Sequence, residues 1–470
     1  MTRPASHLAT GQIDSPAADS TPLVPASRHP DAVIVQGGRP LAGAVPVAGF
    51  KHALVTLVAA SVLADATVSI GNVPDIAETR VLSDILRHAG ARIELDPDTR
   101  TLQIDCTGIT DPDIYALQAI GIHGAIYLLP TFLARLGRAS LGQVGGCQIG
   151  DRRWNGQRPV GHLIHVLERF GASFEQDSNG IRGRCSRLVG ARVDLAEYAA
   201  PAPGDGKPTG QYYSGATKCA LLAASAARGT SVLLNPYPKP DVTELVAALA
   251  AAGLGIEADE QRIVVAGTGR LPGGFERQLI SDLIEAVTFM AASVHTGCPL
   301  KLVNLTTEPL RRALGPELEL MARMGIEFDW TSSTLVTRRP ERLAPISAVA
   351  ASHSIFSDSQ PFFTLMLTGA DGPGSVTDTV WKDRLEYVAE LERLGGRFSV
   401  CGPTVTVWPG RLREAGQRLV AADLRSAAVC LVAALTVPGA THISGLHHLD
   451  RGYEQLIDAF RGVGAEVVSA

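Results

Sequence analysis

One phrase constrains the fold more than any other feature of the chain: an amphipathic helix that stops at a glycine and passes straight into a strand. It occurs six times, as LRHAGARIE (86–94), LERFGASFE (167–175), LAAAGLGIE (249–257), MARMGIEFD (321–329), LERLGGRFS (391–399) and FRGVGAEVV (460–468). The helix-ending glycines are Gly90, Gly171, Gly253, Gly325, Gly395 and Gly464. A helix commonly closes through a residue with positive φ before the chain turns away, and glycine takes that conformation without a Cβ penalty. Each unit also carries a second helix that is apolar on most faces: LVTLVAASVLA from Leu54, GAIYLLPTFLA from Gly124, GATKCALLAASAA from Gly215, LIEAVTFMAASV from Leu283, QPFFTLMLTGA from Gln360 and RSAAVCLVAAL from Arg425. Helices without a polar face are buried ones, so every unit predicts one inner helix, one outer helix and strands forming sheets around the inner helices. The chain reads as an α/β protein of six repeats, grouped as two pseudo-symmetric domains of three.

Length agrees, because 470 residues exceed one ordinary core and suit two large domains. The expected division is a disordered extension over 1–31, one domain over 51–280, and a second built from 32–50 plus 281–470. A net charge of -5 supplies no basic field, which argues against nucleic acid as a partner and requires any anion site to be local. Seven cysteines, at 106, 147, 185, 219, 298, 401 and 430, lack the paired spacings of a zinc site or disulfide framework and fit a reducing cytoplasm. No run of 18 apolar residues suggests a membrane span, and the Pro-, Ala-, Ser- and Asp-rich start lacks a signal peptide's apolar core.

Several residues stand where chemistry is easy. Lys51 opens the first buried helix, so its ammonium and the helix dipole together suit an anion. Cys147 lies in the glycine-flanked Gly145-Gly146-Cys147-Gln148-Ile149-Gly150, followed by Arg152, Arg153 and Arg158, and nearby guanidinium groups favour a thiolate. Asp358 and Asp423 precede the fifth and sixth buried helices, where a carboxylate is ordinarily an N-cap. Arg384, Arg425 and Arg451 stand at helix starts, a placement unfavourable for the dipole that suggests service to an anion.

Taken together, Gly49-Phe50-Lys51, the Cys147 loop, Arg158-Pro159-Val160, Phe356-x-Asp358 with Gln360, Asp423-Leu424-Arg425 and Asp450-Arg451-Gly452-Tyr453-Glu454 resemble the enolpyruvyl transferase family, in particular its UDP-N-acetylglucosamine branch, over about residues 32 to 470. The resemblance implies an inside-out αβ barrel fold, two domains joined by a double crossover, and a Cys147 lid that closes on substrate. It implies transfer of the enolpyruvyl group from phosphoenolpyruvate, a cosubstrate, with no metal or other cofactor. Cys147 would protonate the methylene carbon and can form a phospholactoyl adduct. Asp358 would accept the hydroxyl proton, and Asp423 would orient the reacting carbon. Lys51, Arg384, Arg425, Arg451 and one lid arginine, Arg152 or Arg158, would hold the phosphoenolpyruvate anion.

The acceptor side departs from the family. His52 replaces an asparagine and brings a titratable imidazole, and His123 replaces an arginine. Gly161-His162 follow Arg158, Pro159 and Val160 where the family has Asp-Leu, and Gln211 and Tyr213 replace a lysine and a serine ahead of Ser214 and Gly215. A Pro/Gly-rich insertion runs from Pro201 to Gly210. Losing a cation and adding bulk at a diphosphate site favours a smaller uridine nucleotide, as in the UMP-using enzymes of nikkomycin and polyoxin biosynthesis, which modify the 3′ hydroxyl. UDP-N-acetylglucosamine remains the alternative acceptor. From other classes, an RNA 3′-terminal phosphate cyclase-like enzyme and a noncatalytic nucleotide-binding paralogue share the architecture. The sequence leaves the oligomeric state open.

Overall fold

Each repeated phrase becomes the corner between an outer helix and a strand. The computed structural model describes residues 27–114, 122–142, 145–146, 160–177 and 180–470. All six helix-ending glycines lie in the left-handed region, with φ of 110°, 92°, 87°, 89°, 92° and 99° from Gly90 to Gly464. A side chain at any of them would be strained regardless of the space around it.

Six four-stranded sheets share one topology: a parallel pair at one edge, then two antiparallel pairings. In the first, Glu276–Gln278 runs parallel to Val68–Gly71, which pairs antiparallel with Thr101–Asp105, itself antiparallel to Arg92–Asp96. The edge strand thus comes from far along the chain. Two other sheets also take in a strand distant in sequence, one at an edge and one inside. Ala44–Pro46 pairs in parallel with Lys301–Val303, and Ala32–Gly37 lies between Gly439–Ser444 and Glu466–Ser469. Among the described residues, no sheet mixes strands from 51–280 with strands from the rest. The chain passes between these two sets twice, and the crossings are tied together. Phe50 N donates to Ile280 O at 2.8 Å, Asp282 N to Ala48 O at 2.7 Å, and Lys51 N to the Asp282 carboxylate at 3.0 Å.

The apolar helices are the cores. Lys51–Ser61, Leu128–Leu136, Tyr213–Ala226, Leu283–Thr296, Gln360–Leu367 and Leu424–Ala434 bury nearly every residue they contain. Leu54 and Leu57 are fully buried, each worth about 1.5–3 kcal/mol of burial, and truncating Leu57 to alanine would cost about 2–5 kcal/mol. The second inner helix begins as a 3-10 turn, Gly124–Tyr127, before the α-helix starts at Leu128. Pro130 is tolerated because it falls in the first α turn, where a missing N–H and a fixed φ cost little. No helix of the described residues is long and apolar enough to cross a membrane.

Candidate active site

A cavity of about 170 Å³ lies between the two sets of sheets. Its walls come from inner helices and the loops before them, and from the starts of outer helices that carry Glu78, His162 and Asp241. Lys51, His52 and Val55 belong to the first inner helix; Ser214, Gly215 and Lys218 belong to the third; Phe356, Ser357 and Asp358 precede the fifth. Side-chain contacts also join the two sets. Lys239 donates to Ser354 O, Thr209 Oγ1 lies 3.2 Å from Thr379 Oγ1, and Arg80 pairs with Asp450 at 2.5 Å.

Asp358 is the electrostatic centre. Its Oδ1 accepts from Arg384 Nη2 at 2.8 Å and from Arg425 Nε at 2.7 Å. Burial opposes its charge, but the two guanidiniums more than offset this and hold the carboxyl well below the usual aspartate range. The surrounding loop is anchored at several points. Phe356 N and Ser359 Oγ both donate to Glu317 Oε1, at 2.8 and 3.1 Å, and Arg384 Nη1 donates to Ser357 Oγ at 2.8 Å. Arg425 also donates to Tyr453 Oη at 2.8 Å, and that hydroxyl meets Thr288 Oγ1 at 2.7 Å. The Asp358 carboxylate is therefore bound by side chains and caps no helix; Ser359 occupies the N-cap position without a side-chain cap. Asp423 does cap, accepting from Ser426 N at 2.7 Å, and it shares a small hollow with Arg384 and Arg425 behind the main cavity.

Lys51 and Arg451 also line the cavity. The Lys51 ammonium is 3.7 Å from the buried carboxylate of Glu78, a partner that the sequence did not disclose. Burial lowers the Lys51 pKa, Glu78 opposes that shift, and Arg425 and Arg451 add to it. Gly452 permits this close grouping, since a Cβ there would sit 2.7 Å from Leu424 and 3.4 Å from Lys51 Nζ. Four cationic side chains, Lys51, Arg384, Arg425 and Arg451, thus gather around two carboxylates, those of Asp358 and Glu78. Such a set suits a small, multiply charged anion.

The other walls are neutral or balanced. His52 lines the cavity as expected, but its titration does not fit the expectation. Burial, with Lys51 beside it, pushes it down to about 3, so it remains a neutral imidazole in the physiological range. His123, Gln211, Ser214 and Gly215 line the cavity too. Tyr213 does not. The helix turns it inward, where it is fully buried and donates to Asn235 O at 2.7 Å, and its neighbour Tyr212 faces the cavity instead. Val160 is a buried residue at the start of helix Gly161–Arg169 and likewise does not line the cavity. Cys147, Arg152, Arg158 and Pro159 lie outside the described residues. His162, named among the acceptor-side departures, lines the cavity, and Tyr127, Lys218, Tyr237, Asp241 and Trp381 are cavity residues missed in the sequence. Of these, Lys218 left a trace, as a charge in an otherwise apolar helix of a chain with only six lysines.

The pocket is cationic, built around a restrained aspartate and set between two groups of three sheets of one topology. The family model for EPSP synthase (3-phosphoshikimate 1-carboxyvinyltransferase) fits residues 35–460. The chain belongs to this enolpyruvyl transferase family. As a member it is an enzyme of carboxyvinyl transfer from phosphoenolpyruvate. It is 32% identical over 439 residues to UDP-N-acetylglucosamine 1-carboxyvinyltransferase of Nitratidesulfovibrio vulgaris, covering 93% of this chain and 99% of the relative. UDP-N-acetylglucosamine 1-carboxyvinyltransferase 2 of Listeria innocua is 29% identical over 437 residues, covering 93% and 97%. Among solved structures, the enolpyruvyl transferase NikO from Streptomyces tendae superposes with a TM-score of 0.87 at 36% identity, covering 94% of this chain and all of that one. EPSP synthase from Acinetobacter baumannii, at 19% identity and a TM-score of 0.67 over 93% and 99%, shares the fold.

Proposed function

We propose that this enolpyruvyl transferase uses a uridine nucleotide as acceptor, with UMP reacting through its 3′ hydroxyl. One observation carries the choice of a small acceptor: among the described residues, the cavity wall away from the anion clamp offers no uncompensated cation for a diphosphate. His52 is neutral, Gln211 is an amide, and Lys218 is tied to Asp241 at 2.6 Å. Tyr127, Tyr212, Tyr237 and Trp381 supply flat apolar surface suited to a nucleoside. The 36% identity to NikO, above the 29–32% to the UDP-N-acetylglucosamine enzymes, points the same way.

The chemistry follows from the clamp. Lys51, Arg384, Arg425 and Arg451 hold the carboxylate and phosphate of phosphoenolpyruvate. As the oxygens of the substrate accept the guanidinium hydrogen bonds, Asp358 loses the two partners that suppress its basicity and becomes competent to accept the acceptor's hydroxyl proton. The acceptor oxygen bonds to C2 of phosphoenolpyruvate while Cys147 delivers a proton to C3. The C2–O bond to phosphate then breaks as a C3 proton returns to the Cys147 thiolate and the proton held by Asp358 passes to the departing phosphate, giving the enol ether and inorganic phosphate with both residues restored. Asp423, next to Arg384 and Arg425, keeps that guanidinium pair oriented toward the reacting carbon. We place the reaction in the cytoplasm. Incubation with phosphoenolpyruvate and UMP should release phosphate and yield enolpyruvyl-UMP; release with UDP-N-acetylglucosamine alone would overturn the acceptor assignment.

A further inference from the structure

Lys218 and Asp241 form a buried ion pair that the anion clamp does not use. Each is almost wholly buried, each lines the cavity, and they meet at 2.6 Å between Lys218 Nζ and Asp241 Oδ2. They come from neighbouring inner and outer helices, Tyr213–Ala226 and Pro240–Ala251, and the ammonium also lies 5.0 Å from the centroid of the Tyr127 ring. A pair that served only to join two helices would satisfy itself. This one does not, because Asp241 Oδ1 is buried without a hydrogen-bond partner. On the same cavity wall, His52 Nδ1, His162 Nδ1 and Gln211 Oε1 are also buried and unpartnered. Buried polar atoms are nearly always satisfied, so several orphans around one cavity indicate groups awaiting a ligand.

The position of the pair limits what that ligand group is. Asp241, Lys218, His52 and Asp358 all line one cavity of about 170 Å³. The ion pair and the carboxylate that receives the acceptor's hydroxyl proton therefore face the same enclosed space. An acceptor delivered to Asp358 in that space brings with it the sugar that bears the reacting hydroxyl. A hydroxyl suits the pair chemically, since it donates to the free carboxylate oxygen and accepts from the ammonium at once.

We propose that Asp241 and Lys218 bind the acceptor hydroxyl adjacent to the reacting one, which for UMP is the ribose 2′ hydroxyl, and so select a ribo over a deoxyribo acceptor. This rests on the UMP reading, and the test keeps the two apart. Steady-state kinetics of the full chain are measured with UMP, 2′-deoxy-UMP and N3-methyl-UMP, each against phosphoenolpyruvate. The enzymes are the native form, Asp241→Asn, and the double variant Lys218→Met/Asp241→Leu, which removes both charges together. The native enzyme should favour UMP over the 2′-deoxy nucleotide by about ten- to a hundredfold in kcat/KM. In both variants that ratio should fall toward one, with KM for phosphoenolpyruvate unchanged. A 2′-deoxy penalty that persists in the variants overturns the proposal. So does loss of the N3-methyl penalty in its place, which would assign the pair to the base, and so does an equal rise in both KM values with a lowered Tm, which would make it structural. If only UDP-N-acetylglucosamine is turned over, the UMP reading fails by itself. The pair is then judged by that acceptor's KM, which must rise in Asp241→Asn with phosphoenolpyruvate unaffected; an unchanged value overturns it.

Discussion

Replacing Asp358 with asparagine should tighten phosphoenolpyruvate binding while nearly abolishing turnover. In the free enzyme the carboxylate occupies the guanidiniums of Arg384 and Arg425, at 2.8 and 2.7 Å, and so competes with the substrate for them. An asparagine oxygen would still accept both hydrogen bonds but without charge. A charge-assisted bond contributes about 1.5–3 kcal/mol against about 0.5–1.5 for a neutral one. The exchange therefore forfeits about 1–1.5 kcal/mol per bond, or about 2–3 kcal/mol in all. Unfolding in urea without substrate should show a loss of that order. The same energy, no longer spent on an internal anion, sets a ceiling of roughly 30- to 150-fold on the gain in phosphoenolpyruvate affinity, measured by calorimetry. Phosphate release should fall about 10²- to 10⁴-fold because the base is gone. The pH response follows. A carboxylate held below its usual range stabilises the fold above that range and loses its contribution as pH falls, so the variant should lack that acid-side loss. Weaker phosphoenolpyruvate binding in Asp358→Asn, with kcat little changed, would refute the view that Asp358 is both placeholder and base.

Lys51→Ala and Arg451→Ala should each lower kcat/KM for phosphoenolpyruvate by roughly ten- to a hundredfold or more, read by phosphate release, because each removes a cavity-lining member of the clamp. Glu285 is pushed up to about 8 by burial and by neighbouring Asp282, so the folded chain keeps its proton where the unfolded chain does not. Stability should therefore decline as pH rises from the ordinary glutamate range to about 8. Thermal unfolding of Glu285→Gln, which can still accept from Ala48 N, should show a flatter decline. An epoxide phosphonate should alkylate Cys147 in preference to the other cysteines, four of which are buried, and intact-mass and peptide analysis would locate the adduct.

The six repeats were legible because two local rules coincide. A helix that must reverse needs a residue at positive φ, which exposes Gly90, Gly171, Gly253, Gly325, Gly395 and Gly464, and a helix with no polar face has nowhere to go but inside. Lys51, Asp358, Arg384, Arg425 and Arg451 were legible as a set through the family resemblance, and they do converge. The exchange of edge strands was not, since Glu276–Gln278 finds Val68–Gly71 only through tertiary packing. Tyr213 misled because adjacency to the cavity motif does not fix which way a helical residue points. His52 misled because its charge depends on burial, which no sequence spacing reports. Lys218 and Asp241 are 23 positions apart on different helices, and only the cost of a buried charge in an apolar helix hinted that such a partner must exist.

The most direct measurement is competition for a single pool of phosphoenolpyruvate. UMP and UDP-N-acetylglucosamine are supplied together at equal concentration to the full-length enzyme, and products are identified by mass spectrometry as phosphate is released. Because specificity is a ratio of kcat/KM values, competition reads it without separate affinities. Phosphate release should require the enzyme, with enolpyruvyl-UMP as the main product bearing the new group on ribose. Enolpyruvyl-UDP-N-acetylglucosamine as the main product would contradict the acceptor, and no enolpyruvyl product with any uridine nucleotide would contradict the account as a whole.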